Sequence, residues 1–215
     1  MAYPSPAFRE DRAEVLHAAI RELYFGLLVT HPQDGFATSY LPWELDASRG
    51  PHGTLVGHLA RYNPQWRVPA GGADALVVFQ GPHAYVSPSW YPGKQDDPRQ
   101  VPTWDYLAVE ARGRLVTFDD ETRLHGLLVK LTDRNEAGRE HRWHVSDAPD
   151  DYVRAEMRHI IGIELHIESL VGRYKLSQNR NAADREGARA GLAVASTDRE
   201  RGVAKAIAAA QRQRR

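Results

Sequence analysis

LVGHLARYNPQW, residues 55–66, opens as a strand and closes as a turn. Period-two alternation sets His58, Ala60 and Tyr62 on one face and Leu59 and Arg61 on the other. Asn63-Pro64 ends the strand, because the residue before a proline avoids helical angles and proline has no N–H to give a ladder. One imidazole is thus mounted on rigid β structure beside a sharp stop. That suits a ligand, and it equally suits a satisfied structural histidine.

Working outward, the flanking segments read mainly as short strands. Upstream, Gly26 to Thr30 (GLLVT) and Phe36 to Leu45, interrupted by Pro42, flank a His31-Pro32-Gln33-Asp34-Gly35 turn, and Asp46 to Gly53 is a loop. Downstream come Ala75 to Gln80, a Gly81-Pro82 turn, His83 to Trp90, a polar loop from Tyr91 to Arg99, and a long strand from Thr103 to Phe118. A final strand is expected over Ile161 to Val171. Helical spacing of apolar residues predicts helices over Glu10 to Leu23, from an Asp119/Asp120 cap to about Leu131, and over Asp150 to His159. At least six strands with peripheral helices indicate an α+β chain built on a small β-barrel. Residues 1–181 form the expected barrel domain. From Ala182 the composition turns rich in Ala and Arg, so 182–215 reads as a helical tail. Thr197 and Glu200 there make a capping box for a last helix from Asp198 to about Gln213.

Composition removes several chemistries. The 215 residues contain no cysteine, which excludes disulfides, thiolate metal sites and a cysteine nucleophile. Lys and Arg balance Asp and Glu at 28 each, which argues against a dedicated nucleic-acid binder; the one local basic candidate is Arg212, Arg214 and Arg215. The first residues lack a signal pattern and no apolar run approaches the roughly 20 residues of a membrane span, so a cytoplasmic protein is expected.

Glycine fingerprints, a P-loop and a nucleophile elbow are absent. The informative stretches are clusters at strand ends: SYLPW (39–43), GHLARYNPQW (57–66), AYVSPSWYPGK (84–94) and VPTWDY (101–106). Aromatics alternate there with hydroxyls and charges, as in the lining of a flat amphipathic cofactor or in a rim that a second subunit covers. Trp90 and Trp104 are candidate walls. Arg61 offers a planar fork for an acidic group, Lys94 follows a flexible Pro-Gly, and Lys175 opens a polar run with Ser177, Gln178 and Asn179.

GHLARYNPQW, FQGPHAYVSPSWYPGK, VPTWDY and YKLSQNR together resemble the PaiB family of FMN-binding negative transcriptional regulators, over about Tyr3 to Leu192. The resemblance implies a split β-barrel of the flavin-reductase and pyridoxamine-oxidase kind, and a homodimer with cofactor sites at the subunit interface. The chain departs from the usual pattern at Tyr40 (His), Tyr62 (Ala), Asp105 (Asn) and Tyr174 (Trp). Departures gathered at the expected pocket look like a change of chemistry. Within the family the chain is similar to the haem-dependent piperazate synthases, which cyclise L-N5-hydroxyornithine to L-piperazic acid by N–N bond formation with loss of water. That branch implies haem b in place of FMN, an amino-acid substrate and His58 as the iron ligand. Tyr62 or Tyr40 would then donate to the departing hydroxyl, Asp105 would orient or deprotonate the α-ammonium, and Arg61, Lys94 and Lys175 would hold propionate or substrate carboxylate. The FMN-binding regulator and a flavin-dependent oxidoreductase are the alternatives.

Overall fold

A computed structural model describes residues 5–33 and 35–212; Asp34 of the expected turn and Arg214 and Arg215 of the basic tail lie outside the described residues. Strands β1 (Arg9–Glu10), β2 (Phe25–Thr30), β3 (Ala37–Pro42), β4 (Glu44–Asp46), β5 (Thr54–Ala60), β6 (Ala73–Val86), β7 (Thr103–Phe118) and β8 (Ile160–Lys175) join one sheet. Its order is β3-β2-β6-β7-β8-β5-β4, with β1 on β8. The helices are α1 (Ala13–Leu23), α2 (Glu121–Glu136), α3 (Asp150–Met157), α4 (Ala182–Ala193) and α5 (Asp198–Arg212). None of the described helices is long and apolar enough to cross a membrane.

The chain divides into two compact units, which cut the expected 1–181 domain. One comprises residues 13–79 and 110–170, the other 1–12, 80–109 and 171–215. In the first, β2 pairs antiparallel with β3 and β6, and β5 with β4 and β8. The register sets His58 directly opposite Gly162 and Val56 opposite Glu164. Helix α1 buries Leu16, Ala19 and Ile20, the stripe its spacing predicts. Asp120 caps α2 by accepting from the Arg123 N–H at 2.7 Å, and Leu124, Leu127 and Leu131 turn inward.

In the second unit, the ends of β6 and β8 share a core with the C-terminal helices. Ala84, Val86 and Leu176 pack with Ala188, Leu192, Val203 and Ile207. Residues 182–212 are therefore part of this unit's core, in place of the separate tail expected. Two helices form where one was expected, because Asn181 caps an additional helix by accepting from the Asp184 N–H at 2.8 Å. The Thr197–Glu200 capping box is present.

Gly81-Pro82 makes no turn. One strand, β6, runs through it, and the glycine is needed because a Cβ there would lie 2.9 Å from Leu107 Cδ2 and 3.1 Å from its carbonyl oxygen. The continuation expected over His83 to Trp90 is strand only to Val86, and Pro88–Trp90 forms a 3-10 turn; a second one, Pro92–Gln95, lies in the expected polar loop, and each proline fixes a turn-compatible φ.

Candidate functional site

Strand β5 delivers His58 and ends at Ala60. The Asn63 N–H closes a turn on the Ala60 carbonyl at 2.9 Å, so Arg61 and Tyr62 sit in the turn and Tyr62 does not continue the strand face. Its ring is 91% exposed. The rest of the motif locks this turn. Asn63 Oδ1 accepts from the Gln65 N–H at 3.0 Å, Asn63 Nδ2 donates to Ser39 Oγ at 2.8 Å, and Ser39 Oγ donates to Gln65 Oε1 at 2.6 Å. Buried Gln65 donates in turn to Thr30 Oγ1 and the Ala37 carbonyl, both at 3.1 Å, and Trp66 Nε1 donates to the Arg61 carbonyl at 2.9 Å. NPQW is thus a fastening, and it positions what precedes it.

His58 is half-buried, and burial pushes its imidazole pKa down, so the ring stays neutral with a lone pair to offer. Its Nδ1 is enclosed without a partner. Opposite it, Gly162 leaves room for the Phe118 ring, whose nearest atom is 2.3 Å from where a Cβ would stand. Arg61 is paired with Asp119, and Tyr40 on β3 is exposed with its ring stacked on Phe25 at 6.3 Å. Among the described residues no group of three or more His, Cys, Asp or Glu gathers to hold a metal. His58 is a single neutral donor, which would fit a metal whose other ligands a cofactor brings.

Two residues along β8 from Gly162 lies Glu164, 4% exposed, which the sequence reading missed. Arg49 holds it bidentately at 2.6 and 2.9 Å, Arg123 bonds it as well, and His166 Nε2 is 3.2 Å away. Burial pushes the carboxyl up, but Arg49, His166 and Arg123 outweigh it and hold it at about 2. Arg123 also stacks over Phe118 at 4.0 Å. An open cavity of about 480 Å³ is lined by Val56, Phe118, Arg49, Arg123, Lys130 and Glu164, among others. These charges come from positions far apart in sequence and give no local signal.

The other unit gathers Asp105, Lys175 and Trp104. Asp105 is wholly buried on the inward face of β7. Its Oδ2 accepts from Ser177 Oγ at 2.6 Å, and Lys175 Nζ stands 3.4 Å from its Oδ1 while donating to Thr103 Oγ1 at 2.5 Å and to the Trp104 carbonyl. Burial pushes the Asp105 carboxyl up, against the pull of Ser177 and Lys175. With no exposed surface, this carboxylate is placed to fix Lys175. The polar run after Lys175 is likewise engaged: Gln178 Oε1 accepts from the Leu176 N–H at 2.6 Å, and Arg180 bonds Gln100 at 2.6 Å.

Trp104 is half-exposed and forms a ring cluster with His83 at 6.0 Å and Tyr85 at 6.4 Å, a surface suited to a planar ligand. Trp90 has a different task. A Cβ on Gly187 would lie 1.9 Å from its carbonyl oxygen and one on Gly191 2.4 Å from its indole, so α4 is seated on Trp90. Lys94 is exposed in the 3-10 turn after Pro92.

Residues 2–169 match the family model described as "Putative FMN-binding domain". Protease synthase and sporulation protein PAI 2 of Bacillus subtilis is 33% identical over 177 residues, 82% of each chain. The chain belongs to the PaiB-like FMN-binding-domain family. An uncharacterised Emericella nidulans relative is 31% identical, over 88% of this chain and 89% of its own. Among solved structures, a Mycobacterium smegmatis protein described as binding FAD and haem superposes with a TM-score of 0.55 at 18% identity, over 78% of this PaiB-like chain and 73% of that one. The flavocytochrome Anf3 of Azotobacter vinelandii superposes at 0.50 with 11% identity, over 81% and 76%. The fold of this PaiB-like chain is the α+β split barrel with peripheral helices.

Proposed function

We propose that this PaiB-like chain is a haem-dependent cyclase that converts L-N5-hydroxyornithine to L-piperazic acid, and that it works as a homodimer. The observation that carries the reading is His58: a neutral, half-buried imidazole on a rigid strand, its Nδ1 enclosed without a partner. A cofactor that supplies four equatorial nitrogens asks the protein for this kind of single donor. Solved relatives of the same fold are described as a FAD- and haem-binding protein and as a flavocytochrome, which supports a haem on this scaffold.

When bound, the haem supplies a Lewis-acidic iron that makes the N5–OH group a better leaving group. In the overall reaction the α-nitrogen lone pair forms the N–N bond, the N5–O bond breaks, and the hydroxyl leaves as water with one proton taken from the nucleophile. His58 holds the iron. Tyr62 and Tyr40, both exposed on the same unit, donate to the departing oxygen. Lys94 and Arg61 attract carboxylates, Arg61 by extending its pairing with Asp119. Lys175 is oriented by Asp105, Thr103 Oγ1 and the Trp104 carbonyl as a fixed cation. The exposed Phe25 and Tyr40, stacked on each other, with exposed Phe36 and Tyr62 elsewhere on the same unit, offer apolar side chains that a second subunit would cover.

The protein as purified, or after loading with hemin, is expected to show a Soret band and to turn over N5-hydroxyornithine. His58→Ala is expected to lose both while keeping its melting profile. A yellow protein that retains FMN, takes up no haem and leaves the substrate unchanged would favour the second reading, an FMN-binding PaiB-type regulator, which rests on the family model and the ring cluster at Trp104.

A further inference from the structure

The second unit contains a cleft that the cyclase reading does not use. It is open, about 600 Å³ in volume, and bounded by α4, α5 and the end of β8. That is the size range of small-molecule sites. Every residue that lines it lies at or beyond Leu176, whereas the family model matches only to residue 169. The cleft is therefore built by residues beyond those the family model matches.

Its chemistry has two halves. Leu176 and Ile207, both buried, with Ala208 and Ala210 provide an apolar lining. Arg185, Arg189 and Arg212 line it as well, against Glu186 as the sole acid. Arg189 is neutralised by Glu186 through bonds of 2.5 to 3.0 Å. The Arg185 backbone N–H donates to the Asn181 carbonyl, but its guanidinium has no hydrogen-bond or ion-pair partner among the described residues, and its Nε is enclosed without an acceptor. A guanidinium held beside apolar surface without an anion is electrostatically uncompensated, and a planar oxyanion is the group its fork matches. Arg212 adds a second exposed cation.

We infer that this cleft binds an organic anion: one carboxylate or phosphate head on Arg185 and Arg212, with an apolar body over Leu176, Ile207 and Ala210. A nucleic-acid backbone fits less well, because it needs a charged track and gains nothing from an apolar lining.

The test uses 1-anilinonaphthalene-8-sulfonate, an anionic head on an apolar body, titrated against the full-length protein and followed by fluorescence. Saturable binding at one site per chain is expected, weakened on the order of tenfold in Arg185→Gln and also reduced in Arg212→Gln. Arg212 is exposed, so the second variant tests the site without touching the core. Decanoate and decyl phosphate compete in separate arms, and whichever displaces the probe better identifies the head group. Decanol is expected to be a poor competitor. Unchanged affinity in both variants, displacement by decanol as effective as by the anions, or displacement by an oligonucleotide but by neither amphiphile would overturn the assignment.

Discussion

Gln65 shows how one polar side chain can fasten a loop. It is 8% exposed and makes bonds to Thr30, Ala37 and Ser39, so removing its amide strands several enclosed groups at once. Gln65→Ala is expected to cost about 1–3 kcal/mol in urea unfolding, with the loss appearing first as increased exchange of the turn amides at Asn63 and Gln65. Glu164 makes a different prediction. Its carboxyl is lowered from an ordinary value near 4.5 to about 2 in the folded chain. A depressed carboxyl contributes stability above its unfolded value, and that contribution disappears as pH falls from about 4.5 toward about 2. The contribution is at most about 3 kcal/mol. Glu164→Gln is therefore expected to be less stable than the parent at neutral pH and to lose much of the stability slope between these pH values, measured by denaturant midpoints across an acid series.

Helix α4 is the element whose seating depends most visibly on missing side chains. Gly187 and Gly191 lie one turn apart on the face that meets Trp90, and Asp184, one turn earlier, accepts from the Gly93 N–H at 2.8 Å. The three contacts fasten the helix to the loop after β6. Gly187→Ala would drive a Cβ into a backbone oxygen that cannot rotate away, so a loss of about 1–3 kcal/mol is expected in thermal or denaturant unfolding. An alanine in an isolated helix is ordinarily favourable, so destabilisation here would report the close approach. Strand β5 presents the opposite case, because its function is set by where it stops. Moving the stop by two residues would return Tyr62 to the strand face, whereas the Ala60–Asn63 turn leaves it in solvent.

For the whole molecule, the prediction concerns assembly. Phe25, Phe36, Tyr40 and Tyr62 are each more than half exposed, apolar side chains that assembly with a second copy would cover. Light scattering is expected to give twice the 24.2 kDa chain mass, and Phe36→Asp with Tyr40→Asp is expected to shift it toward the monomer. A wild-type monomer at micromolar concentration would remove the homodimer from the proposal.

Much was legible in the sequence. Periodicity located α1, α2 and β7, the last with its bounds at Thr103 and Phe118, because these elements express their burial in local spacing. Long motifs in order identified the family, and His58 stood out as the imidazole of the first motif. The tertiary structure decided what each polar residue does. Asp105 and Lys175 are separated by 70 residues along the chain, and only strand packing joins them. The Arg49–Glu164–Arg123 cluster draws on three distant segments for the same reason. Gly81-Pro82 reads as a turn because its local preferences favour one, yet the close approach of Leu107 and the pairing of β6 override them. Sequence by itself determined the family, the fold class and His58 as a candidate, since those depend on local pattern and residue chemistry. Which side chains are enclosed, paired or left open to a ligand was decided only in three dimensions, because burial and charge pairing depend on neighbours the chain brings together by folding.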